Sequence, residues 1–191
     1  MLGALLVIVA STSLNAAESN SKVELMITNF SSDTPDLGWY VQNDNVMGGR
    51  SEGGFEQLDN TLIFAGSTNT RGGGFCSIRT RSFQLDLSGY DGIRLRVKGD
   101  GRSYIWQLQT DARWRGRRVS YWADIATRAD EWMTVDMPFT SFVPQFRGYQ
   151  LDGPDIDPGQ ITEMGLYIND TKDGLFELQV KSVDAYSGDA P

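Results

Sequence analysis

Ile93-Arg94-Leu95-Arg96-Val97-Lys98 alternates apolar and basic side chains with a period of two, the mark of a strand with one buried face. Phe176-Glu177-Leu178-Gln179-Val180-Lys181 repeats the pattern near the other end of the chain. Between and around them, segments 24–29, 61–66, 75–80, 103–110, 119–125, 132–137 and 161–168 are rich in β-branched and aromatic residues, as strands are. Turn signals separate them: Asp59-Asn60, Ser88-Gly89, Gly99-Asp100-Gly101 and Lys172-Asp173-Gly174. No long helical pattern interrupts the series. About nine or ten short strands in one domain imply an all-β fold, a single β-sandwich of jelly-roll type over 24–186, with a tail at 187–191.

Composition narrows the chemistry. The chain has 191 residues, 40% hydrophobic and 22% charged, enough to build a core. Seventeen basic against 25 acidic residues leave a net charge of −8, which supplies no global field for nucleic acid, and none is expected as a partner. There is no histidine, which removes the Ser-His-Asp and Cys-His nucleophile systems, His-ligated zinc and imidazole bases. A single cysteine, Cys76, excludes an intrachain disulfide and a cysteine-rich metal cluster. No metal and no cofactor is expected.

The first ten residues, Met1 to Ala10, are apolar and are followed by a Ser/Asn stretch and Ala16-Ala17. The run is short for a bilayer span of ~20 residues and reads as a signal peptide over 1–17, ahead of a polar leader at 18–23. It lacks a basic residue before the apolar run and an alanine three residues before either cut. The expectation is export to the periplasm or exterior, with a cytoplasmic chain as the alternative and no transmembrane span in the mature chain.

Four segments stand apart. Trp39-Tyr40-Val41-Gln42-Asn43-Asp44-Asn45-Val46-Met47-Gly48-Gly49-Arg50-Ser51 is too polar and glycine-rich for a core strand. It reads either as a recognition loop presenting Asp44, Asn45 and Arg50, or as a cap on the sandwich with Trp39 and Met47 as its plug. The cap is favoured, with Asp44 as an internal acceptor for loop N–H groups. Asn69-Thr70-Arg71-Gly72-Gly73-Gly74-Phe75 lacks the Lys-Ser/Thr of a phosphate loop and reads as a flexible hairpin. Arg113-Trp114-Arg115-Gly116-Arg117-Arg118 puts four arginines and a tryptophan into six residues, able to clamp an anion or to pair with neighbouring carboxylates. Asp152-Gly153-Pro154-Asp155-Ile156-Asp157-Pro158 lacks the spacing of a calcium loop and reads as an exposed turn. Asp124, Glu131, Glu163 and Asp170 are the available acid/base carboxylates, but nothing in their spacing selects a pair.

Taken in order, these segments resemble the complex I intermediate-associated protein family of the thirty-kilodalton type. The resemblance is carried by Asn43-Asp44-Asn45-Val46-Met47-Gly48-Gly49-Arg50-Ser51, Leu62-Ile63-Phe64-Ala65-Gly66 and Gly73-Gly74-Phe75-Cys76-Ser77-Ile78-Arg79-Thr80. It continues through Leu85-Asp86-Leu87-Ser88-Gly89-Tyr90-Asp91-Gly92-Ile93, Pro138-Phe139, Phe142-Val143-Pro144 and Arg147-Gly148. It implies a galactose-binding-like β-sandwich close to carbohydrate-binding modules, and a non-enzymatic assembly or chaperone-like factor with a protein partner. Asp44, Asn45, Met47, Gly48, Gly49 and Ser51 carry over as a structural or recognition segment.

The alternative is a carbohydrate-binding module. Residues two apart on a strand share a face, so Ile105, Gln107 and Gln109 lie on one side of 103–110, and Tyr104, Trp106 and Leu108 on the other. Gln107, Gln109, Trp122, Arg113 and Arg115 are the candidate ligand face for a glycan. The opposing expectation puts at least two of Trp106, Trp122 and Trp132 in the core.

Overall fold

A computed structural model describes residues 24–188; residues 1–23, with the leader expectation, lie outside it. In chain order the described strands are β1 (Glu24–Thr28), β2 (Tyr40–Val41), β3 (Glu52–Leu58), β4 (Thr61–Thr68), β5 (Cys76–Arg79), β6 (Gly92–Gly99) and β7 (Ser103–Trp114). They continue as β8 (Arg117–Ala126), β9 (Trp132–Pro138), β10 (Val143–Phe146), β11 (Tyr149–Gln150), β12 (Glu163–Ile168) and β13 (Gly174–Tyr186). Only short 3-10 turns accompany them, and no helix among the described residues is long and apolar enough to cross a membrane.

The strands form two antiparallel sheets. One runs β3-β4-β13-β6-β9, with β1 also paired to β13; the other runs β11-β10-β8-β7-β12-β5-β2. The alternation that identifies β6 buries Ile93, Leu95 and Val97 completely and leaves Arg96 in solvent. In β13, Phe176, Leu178 and Val180 face inward, and then the pairing with β6 slips by one residue between Val180 and Ser182. That bulge resets the phase, so Val183 and Ala185 face inward too. The seven-stranded sheet contributes Tyr104, Trp106 and Leu108 from β7 and Val119, Tyr121, Ala123 and Ile125 from β8. Phe64 meets Phe176 edge-on at 4.9 Å between centroids across neighbouring strands.

Three expectations change. The triple-glycine segment is not a hairpin, because β4 and β5 belong to different sheets and the segment crosses between them. Of Trp106, Trp122 and Trp132, only Trp106 is fully buried; the other two sit half-buried on outer sheet faces, Trp132 beneath Arg96 and Lys98. Strand β3 emerges from a sequence carrying Gly53-Gly54, because it pairs with β4 through its backbone where a side chain on Gly66 would collide with the Glu52 carbonyl.

Candidate functional site

The turn Asp44–Met47 is built around one buried carboxylate. Asp44 has no solvent exposure. Its Oδ1 accepts the Ser51 N–H at 2.9 Å, while Oδ2 accepts the Ser51 hydroxyl at 2.6 Å and the Gly74 N–H at 2.6 Å. Ser51 Oγ in turn accepts the Asn69 N–H at 3.0 Å, tying the loop to the triple-glycine crossing. A Cβ on either Gly49 or Gly73 would lie inside van der Waals contact of this carboxylate, so both glycines are there to let backbone close on it. Burial raises the Asp44 pKa, but the bonds from Ser51 and Gly74 outweigh it and hold the group below the usual carboxylate value. Asn43 braces the other side, donating to the Gly53 carbonyl at 2.9 Å and accepting the Ser77 N–H at 3.3 Å.

With Asp44 turned inward, the loop presents other residues. Asn45 and Arg50 are exposed, and Met47 is not a plug: it is 67% exposed beside Val46 at 63%, while Trp39 alone is buried. Gly48 follows at φ 87°, a left-handed turn that directs the chain back toward Ser51. Asn43, Asn45, Arg50, Glu52 and Gly53 line an open hollow next to this apolar pair.

The outer face of the seven-stranded sheet gathers a second polar set. Register places Gln107 opposite Trp122 and Gly165, Gln109 opposite Ser120 and Glu163, and Arg79 opposite Gly165. The Trp122 indole donates to Gln107 Oε1 at 3.1 Å, and Gln109 Nε2 donates to Ser120 Oγ at 3.1 Å. Trp122 and Tyr167 lie 5.4 Å apart, Arg79 stacks 5.0 Å over the Tyr167 ring, and Arg118 is 3.8 Å from Glu163. Burial pushes the Glu163 pKa up, opposed by Arg79 and Arg118. Gln107 Nε2 and Arg79 Nε are buried there without a hydrogen-bond partner. Tyr167, Arg79 and Glu163 were not singled out as a set by sequence reading, since only strand register brings them together.

Arg113 and Arg115 do not join this face in a common contact. Arg113 lies beyond the β7 irregularity opposite Arg118, and Arg115 lies in the β7–β8 turn, 4.5 Å over the Trp114 ring. The other candidates separate as well. Asp170 is held by Arg102, Glu131 pairs with Arg128 and Asp124 is exposed. Asp157 accepts the Gly159 N–H within its own loop at 2.9 Å. Among the described residues no group of three or more acidic or cysteine side chains is placed to hold a metal ion.

A family model described as Complex I intermediate-associated protein 30 (CIA30) matches residues 28–180, from the end of β1 into β13. The chain belongs to the CIA30 family. A mitochondrial Complex I intermediate-associated protein 30 of Mus musculus is 25% identical over 174 residues, covering 80% of this chain and 53% of that protein. The chain thus spans about half the length of that relative. An uncharacterized protein of Schizosaccharomyces pombe is 26% identical over 185 residues, covering 80% of this chain and 82% of its own length. Among solved structures, a family 11 carbohydrate-binding module of a Clostridium thermocellum cellulase superposes with a TM-score of 0.64 at 17% identity, over 87% of this chain and 95% of that one. This CIA30-family chain therefore has the galactose-binding-like β-sandwich fold of such modules. The expectation of export is corrected here, because the named relative is a mitochondrial protein. The apolar start of the chain resembles a signal peptide in length and hydropathy alone, features that do not specify a compartment by themselves.

Proposed function

We propose that this chain is a non-enzymatic protein-binding module with a chaperone-like role, holding an assembly intermediate of respiratory complex I. The observation that carries the reading is the Asp44-braced loop, which fixes Val46 and Met47 side by side in solvent. An apolar pair already held in place loses little conformational freedom on docking, and methionine adapts to irregular partner surfaces. Membership of the CIA30 family supports a complex I component as the class of partner. The test is native electrophoresis of detergent-solubilised membranes from cells making the tagged chain. Wild type is expected to co-migrate with complex I subassemblies, and a Val46→Glu, Met47→Glu variant to run free while melting at the wild-type temperature. A wild-type chain that never co-migrates with complex I subunits overturns the reading.

A second reading, favoured by the Trp122–Tyr167 ring pair beside Gln107 and Glu163, is glycan binding on the outer sheet face. Sugar rings stack on such aromatics while amides and carboxylates take the hydroxyls. It predicts a change in tryptophan fluorescence with some member of a β-glucan panel, absent in Trp122→Ala.

A further inference from the structure

Three hairpins turn in two residues with both φ angles positive: Asp59-Asn60, Arg115-Gly116 and Arg147-Gly148. That conformation favours Asn, Asp and Gly. The β3–β4 hairpin uses favoured residues, whereas β7–β8 and β10–β11 both place arginine first, at φ 50° and 52°. Arginine brings a Cβ to this region and no side-chain acceptor to satisfy the local backbone. The two arginine turns are neighbours in space, because β10 pairs with β8 antiparallel and brings Phe146 within 6.4 Å of Trp114. Arg115 lies over Trp114, while Arg117 and Arg147 lie 5.1 and 5.6 Å over Phe146. Arg113 and Arg118 stand opposite each other just behind. All five arginines are exposed, and of these five only Arg118 enters an ion pair among the described residues. This is a concentrated positive surface on a chain of net charge −8.

We propose that these paired Arg-Gly hairpin tips dock an acidic segment of a partner protein, an inference that rests on the protein-binding reading above and names the chemistry of the partner. A guanidinium stacked on a ring keeps its in-plane N–H edge free, the geometry that a carboxylate meets with two parallel hydrogen bonds. The rings beneath are half-buried and leave Tyr149, 76% exposed, as the large apolar side chain in solvent. A bilayer surface would be offered little apolar area to insert, and a nucleic-acid strand few open ring faces.

The test uses the full chain and an Arg115→Asn, Arg147→Asn double variant, which removes two charges and installs the residue each turn prefers. Decaglutamate peptide is the probe, with phosphatidylserine vesicles and single-stranded RNA as competitors. The variant is expected to melt at or above the wild-type temperature and to bind decaglutamate about tenfold more weakly, whereas Arg128→Asn binds as wild type does. A lower melting temperature would make the arginines structural staples and overturn the proposal. So would unchanged peptide binding, or tighter arginine-dependent binding of vesicles or RNA. In the native gel, co-migration of the double variant at wild-type levels overturns this inference and leaves the protein-binding reading standing. Loss of co-migration in wild type, with arginine-dependent peptide binding intact, overturns that reading and leaves this surface.

Discussion

Replacing Asp44 with alanine tests whether the loop is held from within. The carboxylate accepts three hydrogen bonds of 2.6–2.9 Å from Ser51 and Gly74 and has no solvent contact. Hydrogen bonds to a charged group contribute about 1.5–3 kcal/mol each, and removing the acceptor leaves two backbone N–H groups unsatisfied. The three bonds are not additive, and Gly74 is near enough to solvent for water to replace part of its loss. A net cost of about 3–5 kcal/mol follows, which for a domain of this size lowers the melting temperature by roughly 10 °C. Asp44→Asn keeps the shape but turns an NH₂ toward a donor, and is expected to lose most of the same stability. Its pH dependence is a second signature. The folded pKa of Asp44 lies below its unfolded value, so its stabilisation is present above the unfolded value and lost as pH falls through the folded one. The asparagine variant should therefore show a flatter acid limb than wild type in thermal melts followed by near-ultraviolet circular dichroism. An alanine variant melting within about 1 °C of wild type would refute the reasoning.

Gly49→Ala and Gly48→Ala should differ in a fixed order. At Gly49 the new methyl meets the Asp44 carboxylate and is expected to cost about 3 kcal/mol or more, whereas Gly48 has open space and only its φ of 87° to defend, about 1 kcal/mol; chemical denaturation of both variants reads the order. Glu163 behaves oppositely to Asp44: its folded pKa is raised, so the stability linked to its neutral form is present below the unfolded value and lost as pH rises through the folded one. Glu163→Gln should remove that decline and leave the chain at least as stable as wild type at pH 7, by melting across the pH range. Cys76 is fully buried with its thiol pushed up to about 12, so a disulfide-exchange reagent should leave it untouched in the folded chain and titrate one thiol after unfolding in denaturant.

Strand identity was legible wherever one face is buried, because a period of two records which side meets the core. Ile93, Leu95 and Val97 illustrate this, and so do Phe176, Leu178 and Val180. Strand β3 was not legible, because its residues pair through backbone and its outer positions need no apolar side chain. The β13 bulge was equally hidden: Lys181 shifts the alternation without any glycine or proline to announce it.

Composition alone excluded histidine chemistry and an intrachain disulfide, since neither depends on how the chain folds. The unusual density of Asn, Asp and Gly at 43–51 marked a loop needing internal hydrogen bonds, because local backbone groups must be satisfied wherever they lie. Which side chain answers that need was decided by tertiary structure, since the Gly74 donor lies thirty residues beyond Asp44 and reaches it only when the chain crosses from one sheet to the other. The same holds for Met47, turned outward once Asp44 occupies the interior, and for the second arginine turn, which reaches the first only through the pairing of β8 with β10. Periodicity reports the face a residue takes within its own strand. Register and sheet order decide what stands beside it, and those are set by contacts between segments far apart in sequence.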